Sequence, residues 1–403
     1  MTALDGGRGR LVRGAVMAVS VAVGAFGLSA CSARAAGGDA PHASATPSVP
    51  TPMATSIDTA HGTWVTLPMG RLDEALNTFW QLFFRPAPTG SWSNQVEATA
   101  TATNGGLVLA PTGSGGLVVG IRPSSYLTYT PLIATPGASS SWSDGLIEAG
   151  LAARPDALAT SGSGDMLALV GGADARVLTS KGDLSTWATM VDRQILASTP
   201  SGRACGLDAL TAVGYRGNQP MVGANCRRPG EVGLYAKSDG RWHPAGIILP
   251  PALSHDRVEV LALESSESTA SALLAVSDKS TTALVAAWSA TSGSWITSSP
   301  LRLSASESVV SFGPASGNGL FALVQSASGH EALAVLNPPE STWQELPSPP
   351  VGTATVAFGP ASSVAAFVGS GTVLTVWSLD STPNRWGVEQ VIHVPIQYGS
   401  SSQ

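Results

Sequence analysis

Charge is scarce in this chain. Only 12% of its 403 residues are Asp, Glu, Lys or Arg, about half the quarter typical of soluble domains. Lysine is reduced to Lys181, Lys237 and Lys279, the remaining basic residues being arginine. The formal net charge of −6 supplies no basic face to neutralise phosphates, which argues against nucleic acid as a partner. Histidine is limited to six residues, none at i, i+2 or i, i+4 from another. No Asp-x-Asp-x-Asp run occurs, so the chain carries no local metal motif. A Gly-x-Ser-x-Gly nucleophile elbow is missing too. The Gly-rich segments Thr112-Gly-Ser-Gly-Gly116 and Ser161-Gly-Ser-Gly164 lie between apolar runs, as hairpin turns do, and not before helices as phosphate cradles do. Helical periodicity is rare. Asp73 to Phe84 is the best candidate, and Phe79 to Phe84 within it reads equally well as a strand.

What the chain has in abundance is short apolar runs between turn-forming clusters. Gly106–Ala110, Gly116–Gly120, Met166–Val170 and Ala283–Trp288 are examples, and they predict an all-β fold. Tryptophan supplies a repeat. Trp92, Trp142, Trp187, Trp242, Trp295, Trp343 and Trp386 follow turn-like segments at intervals of 50, 45, 55, 53, 48 and 43 residues. A period near 49 suits one four-stranded propeller blade. A ring at the same place in each blade would fill the wedge between neighbouring sheets, with its N–H on a nearby carbonyl. The reading is a β-propeller of seven four-stranded blades over residues 62–403; six or eight blades, or a pair of β-sandwiches, are the competing arrangements. Trp64 sits too close to Trp92 for a whole blade. The first blade is therefore expected to lack its N-terminal part, and Val388 to Gln397 to supply a strand that closes the ring.

One turn resembles a known family. Leu234-Tyr-Ala-Lys-Ser238-Asp239-Gly240-Arg-Trp242 is similar to the Asp-box turn of sialidase-like (BNR-repeat) propellers. The resemblance implies that this turn links the two outer strands of a blade. A sialidase-type enzyme would in addition place three arginines on a substrate carboxylate, beside a Tyr–Glu nucleophile pair and an Asp acid/base. Phe84-Arg85-Pro86 and Ile121-Arg122-Pro123 match only part of that family's Arg-Ile-Pro element. The tyrosines are Tyr126, Tyr129, Tyr215, Tyr235 and Tyr398, and packing accounts for Tyr235. His255-Asp256 reads as a solvated turn. No catalytic, cofactor-binding or metal-binding residue is predicted. If the chain is a hydrolase, its acids come from scattered loops, for example Glu148, Asp156, Asp165 or Glu259.

The N-terminal segment predicts an address. Arg8, Arg10 and Arg13 precede an uncharged run from Gly14 to Ala30, the basic and apolar regions of a secretory signal. Leu28-Ser29-Ala30-Cys31 resembles a bacterial lipobox, which implies cleavage before Cys31 and diacylglycerol on its thiol. A single uncleaved anchor is the competing reading, although 17 residues fall short of the roughly 20 that span a bilayer. Residues 1–30 are thus read as a signal peptide. Residues 31–61, rich in Ala, Ser, Thr and Pro, are read as a lipidated Cys and flexible tether. With Cys31 lipidated, Cys205 and Cys226 remain as an even pair, expected to form a disulfide in an oxidising compartment, against two buried free thiols. The expected protein is a monomeric lipoprotein on the extracytoplasmic face of a membrane. Its propeller would bind an envelope protein, peptide or glycan; the alternative is a sialidase-like glycan hydrolase.

Overall fold

The computed structural model describes residues 53–395 apart from 71–77, 88–89, 102–105, 113–114, 122–131, 135–142, 145–154, 173, 182–183, 185, 266–268, 279–280, 291–292, 360–362 and 381–383. Cys31, Trp142, Glu148, Arg122, Tyr126, Tyr129 and Tyr398 lie outside the described residues. The described residues form seven antiparallel sheets, each built from consecutive strands. Blade 1 holds β1 (Thr55–Thr59), β2 (Gly62–Gly70), β3 (Thr78–Pro86) and β4 (Ser93–Thr101). Blade 2 holds β5 (Leu107–Pro111), β6 (Leu117–Ile121), β7 (Leu132–Ala134) and β8 (Ser143–Asp144). Blade 3 holds β9 (Ala157–Thr160), β10 (Asp165–Val170), β11 (Arg176–Lys181) and β12 (Trp187–Asp192). Blade 4 holds β13 (Leu207–Arg216), β14 (Gln219–Cys226), β15 (Gly233–Ser238) and β16 (Arg241–Pro244). Blade 5 holds β17 (Arg257–Ser265), β18 (Ala270–Ser277), β19 (Thr282–Ser289) and β20 (Trp295–Thr297), with β21 (Leu301–Leu303) also on β19. Blade 6 holds β22 (Ser308–Ala315), β23 (Gly319–Gln325), β24 (Glu331–Leu336) and β25 (Gln344–Leu346). Blade 7 holds β26 (Thr353–Phe358), β27 (Val364–Ser370), β28 (Val373–Asp380) and β29 (Arg385–His393). This is a seven-bladed β-propeller.

Burial within a blade follows strand order. The second and third strands are sandwiched between neighbouring blades, so their sequences are almost unbroken apolar runs; β18 and β19 are buried over nearly their whole length. Fourth strands meet solvent and carry polar residues, as in β16 and β25. Seven apolar clusters fill the seams, each drawn mainly from two consecutive blades. At the 6/7 seam Phe321, Leu323 and Val335 face Val356 and Ala366.

The described repeat tryptophans stand at or near the start of a fourth strand. Among the described ones, each packs into the seam with the preceding blade. Trp187 lies against blade 2, Trp242 against blade 3, Trp295 against blade 4, Trp343 against blade 5 and Trp386 against blade 6. Trp92 of blade 1 packs on blade 7, with its ring edge-on to Phe367 at 4.8 Å between centroids. The expected N–H to carbonyl bond occurs at Trp187 (to Leu184 O, 3.0 Å) and Trp386 (to Pro347 O, 3.0 Å). Trp92, Trp295 and Trp343 bury their indole N–H without a partner among the described residues. Packing is thus the common property, and the hydrogen bond is not.

Two expectations about the first blade need correction. Blade 1 is complete, because β1 lies ahead of residue 62 and pairs with β2 from Thr55↔Thr66 to Thr59↔Gly62. The C-terminal run supplies no strand to blade 1: β29 pairs with β28 inside blade 7. The ring closes through side chains and single contacts. The Gln390 amide bonds Trp92 twice, accepting from its backbone N–H and donating to its carbonyl, both at 2.9 Å. Arg85 stands 3.4 Å from Glu389. Ser56 Oγ donates to Val356 O at 2.7 Å, and Gly70 N donates to Gly371 O at 2.7 Å. The sequence misled here because Trp64 looked like a repeat tryptophan. It sits instead in β2, stacked on Phe84 at 4.0 Å in the 1/2 seam.

Candidate functional site

Four antiparallel strands return the chain to the end where the first strand began. Every first strand therefore starts at the same end of the ring, beside the ends of the second strands. That end collects Asp156, Asp208, Arg257 and Glu259, together with Asn225, Cys226, Ser277 and Asp278 at the ends of β14 and β18. It also carries the longest ordered connection, between blades 3 and 4. There the chain forms α1 (Arg193–Ser198) and α2 (Pro200–Cys205). Asp192 caps α1 by accepting from Ile195 N at 2.7 Å, and Thr199 caps α2 by accepting from Gly202 N at 3.0 Å. Pro200 opens α2 and Gly206, at φ 64°, closes it. These are ordinary start and stop signals that the sequence displayed and that short length obscured. A disulfide joins Cys205 to Cys226, with Cα atoms 4.9 Å apart, and fastens α2 to the end of β14.

The first strands enclose an axial cavity of about 420 Å³ reached by residues of blades 1 to 6. Most of its wall is apolar, including Leu109, Leu158, Leu210, Leu261 and Phe312. Among the described residues its ionisable groups are Asp156, Glu259 and Glu264, all acidic. Strict alternation would put Glu259 and Glu264, five positions apart, on opposite faces of β17. A β-bulge between Val260 and Ala262 inserts one residue and restores both to the same face. Glu259, Leu261, Ala262 and Glu264 accordingly share the cavity wall, to which Val260 and Leu263 also contribute while packing, with Val258, in the 4/5 core cluster.

Burial sets the state of these acids. The Glu264 carboxyl, with no partner among the described residues, is pushed up to about 7 by desolvation. Burial also raises Glu259, opposed in part by a hydrogen bond from the Asn225 side chain. Glu259 further lines a second cleft of about 200 Å³ between blades 4 and 5, with Asp208, Asn225, Arg257 and Asp278. The Asn225 side-chain oxygen is buried there without a partner among the described residues. Asp208 is held by Arg227, whose Nε donates at 3.0 Å.

The sequence-derived acids divide. Asp156 and Glu259 share the axial cavity, and Asp165 stands apart on β10 near Tyr215. Glu264 was not foreseen, because only the bulge turns it inward. Tyr215 and Tyr235 are both buried in the 3/4 seam. Burial raises both, with Asp165 adding to Tyr215; Tyr235 reaches about 12, with Glu231 adding. Neither phenol opens on the cavity. Among the described residues no arginine lines the axial cavity, and Arg257 lines the adjoining cleft. The Asp-box-like segment lies where the resemblance implies, linking the third and fourth strands of blade 4. Asp239 (φ 50°) and Gly240 (φ 74°) form its two-residue turn, the left-handed pair that matches strand twist. Among the described residues, no group of three or more His, Cys, Asp or Glu is placed to hold a metal.

No protein-family model matches the chain, and no curated protein sequence matches it. Solved β-propellers do. The periplasmic gluconolactonase PpgL of Pseudomonas aeruginosa is 14% identical, with a TM-score of 0.52 over 83% of this chain and 97% of that one. An oligogalacturonate lyase in complex with manganese is 7% identical, with a TM-score of 0.50 over 82% of this chain and 99% of that one. YCF48 bound to a D1 peptide is 13% identical, with a TM-score of 0.41 over 81% and 92%. At these identities the likeness is one of fold alone.

Proposed function

We propose that this protein is an extracytoplasmic lipoprotein, anchored through Cys31, whose propeller binds a ligand in its axial cavity without transforming it. The observation that carries the binding reading is the cavity itself. About 420 Å³ of mostly apolar space with a few convergent polar groups is the composition of a small-ligand site. The pattern Leu28-Ser29-Ala30-Cys31 supports the anchor, and the Cys205–Cys226 disulfide suits an oxidising compartment. The segment between Cys31 and blade 1 would hold the ring away from the membrane. A sialidase-type reaction fits poorly: the cavity wall has acids where a carboxylate substrate needs arginines, and the two described tyrosines are core residues.

A second reading has one observation in its favour. Asp156 and Glu259 line one cavity, and burial keeps Glu259 protonated to higher pH, as a general acid for glycoside cleavage requires. Photocrosslinking tests the first reading: a photoreactive residue in place of Leu261 should capture a ligand from envelope extracts. Incubation with envelope glycans should leave them uncleaved. Release of sugar that disappears in Glu259→Gln would establish the hydrolase instead. For the anchor, Cys31→Ala should move the protein from the membrane fraction to the soluble extracytoplasmic fraction; equal retention would exclude lipidation.

A further inference from the structure

The binding reading leaves open what controls entry to the cavity, and the inference here rests on that reading. We propose that Met53 and Ala54 form a strap along the axial cavity, and that an apolar ligand binds by displacing Met53 from the wall. Blade 1 departs from the other blades in a way that creates this strap. In blades 2, 4, 5 and 6 the first strand begins opposite the last residue of the second: Leu107↔Ile121, Leu207↔Cys226, Arg257↔Ser277 and Ser308↔Gln325. In blade 1 the first strand begins at Thr55, opposite Thr66, while β2 continues to Gly70. The shortfall is about 13 Å at the strand rise. The chain therefore joins blade 1 part-way down the ring, not at its rim.

The two residues ahead of β1 go to other blades. Ala54 O accepts from the buried Ser311 Oγ of β22 at 2.9 Å, and Thr355 Oγ1 of β26 lies 2.7 Å from the same hydroxyl. Met53 reaches the 5/6 seam, where it packs beside Leu261 and Ala262 against that cluster. Met53, Leu261, Ala262 and Phe312 also share the wall of the axial cavity. The backbone thus leaves blade 1 inside the ring, passes blades 7 and 6, and sets a side chain on the wall beside blade 5.

Met53 is the least firmly held part of that wall. The other described lining residues lie in strands or, like Asp156, bond to one: Asp156 N donates to Leu169 O at 2.7 Å. Met53 lies outside every strand and has no hydrogen bond among the described residues. Ala54 is tied to β22 by the single Ser311 bond. Segments of low local stability are the ones that ligands move. A methionine side chain, unbranched and with three rotatable bonds, reseats readily.

The same geometry gives the ligand's class. The place that Met53 holds is bounded by Leu261, Ala262 and Phe312, which suits an aliphatic chain. A polyol would leave its hydroxyls without partners there. With Met53 in place the cavity is about 420 Å³, toward the small end of ligand sites, and moving the side chain enlarges it. Because ligand and Met53 compete for one place, the strap lowers apparent affinity until something releases it.

A diazirine-bearing octanol, titrated into the full-length protein, tests this. Photolabelling of the β17 peptide, mapped by mass spectrometry, gives a half-saturating concentration. Partitioning into detergent is common to all variants and cancels from their ratios. Met53→Ala should lower that concentration by about tenfold or more. Ser311→Ala, which frees Ala54 O, should lower it several-fold. Saturating the parent protein should speed hydrogen exchange at the start of β1. An unchanged or higher concentration in Met53→Ala would make Met53 an ordinary wall residue and overturn the strap, leaving the binding reading in place. Tighter binding in Met53→Ala with no effect of Ser311→Ala would reflect cavity volume alone and overturn displacement. Slower exchange in β1 at saturation would also overturn it, because the probe would then sit beside the strap. If the cavity is labelled in no variant, the strap falls, and capture by the photoreactive residue at Leu261 decides the binding reading separately.

Discussion

The 7/1 seam and the 4/5 seam solve opposite problems. At 7/1 the chain must join its two ends without strand exchange, and it fills the gap: Phe83, Trp92, Met69 and Phe367 share one core cluster, and Gln390 clasps both backbone groups of Trp92. At 4/5 the strands are already linked through the chain, and the upper part of the seam opens into a polar cleft. There the Asn225 side-chain oxygen is buried without a partner among the described residues. Lower in the same seam the packing is tight, a Cβ on Gly223 meeting Val260 Cγ1 at 2.6 Å. Covalent continuity lets the 4/5 seam open into a polar cleft, whereas the 7/1 seam is held by an apolar cluster, side-chain bonds and the Gly70–Gly371 backbone bond.

The largest test of that contrast is Phe367→Ala. The side chain is fully buried against Trp92, so the variant should lose about 3–5 kcal/mol of stability, read by denaturant unfolding. A loss no larger than that of a surface substitution would mean that the ring closes by other means. Reduction of Cys205–Cys226, which are separated by 21 residues, should destabilise the protein by roughly 3 kcal/mol. Hydrogen exchange should place the first loosening in α1 and α2, and protection unchanged there would separate the disulfide from the connection it fastens.

Glu264→Gln should act in the opposite direction. An acid whose folded value rises from 4.5 to about 7 holds its proton more tightly when folded. Stability therefore declines as pH increases from about 4.5 to about 7, and the penalty is complete above that window. The glutamine variant should be more stable than the parent at pH 8, by on the order of 3 kcal/mol, and no more stable at pH 4. Melting curves with the same difference at both pH values would show that the effect is not ionic. The smallest expected change is Gln390→Ala. Losing the two bonds to Trp92 should cost about 1–3 kcal/mol, and no loss would assign closure to the apolar cluster alone.

Much of the architecture was legible because propeller packing repeats. A large ring is needed wherever a fourth strand meets the preceding blade, so Trp92, Trp187, Trp242, Trp295, Trp343 and Trp386 marked six of the seven fourth strands that the described residues contain. The even cysteine pair was legible by count. The segment Phe79 to Phe84 shows the limit of periodicity: an apolar run of that length fits helix or strand alone, and pairing with β2 decided for strand. The candidate site was half legible. Asp156 and Glu259 could be nominated as acids, but nothing local distinguished them from Asp165.

What the sequence determined by itself is the kind and spacing of the repeated unit, since each blade's strands and tryptophan are set by residues within about fifty positions. Only the tertiary structure decided how the ring closes and which acids meet. Gln390 and Trp92 are 298 residues apart, and the cavity takes its wall from six blades. Those contacts depend on ring geometry and on a single inserted residue in β17, because one extra residue reverses the face of every side chain beyond it.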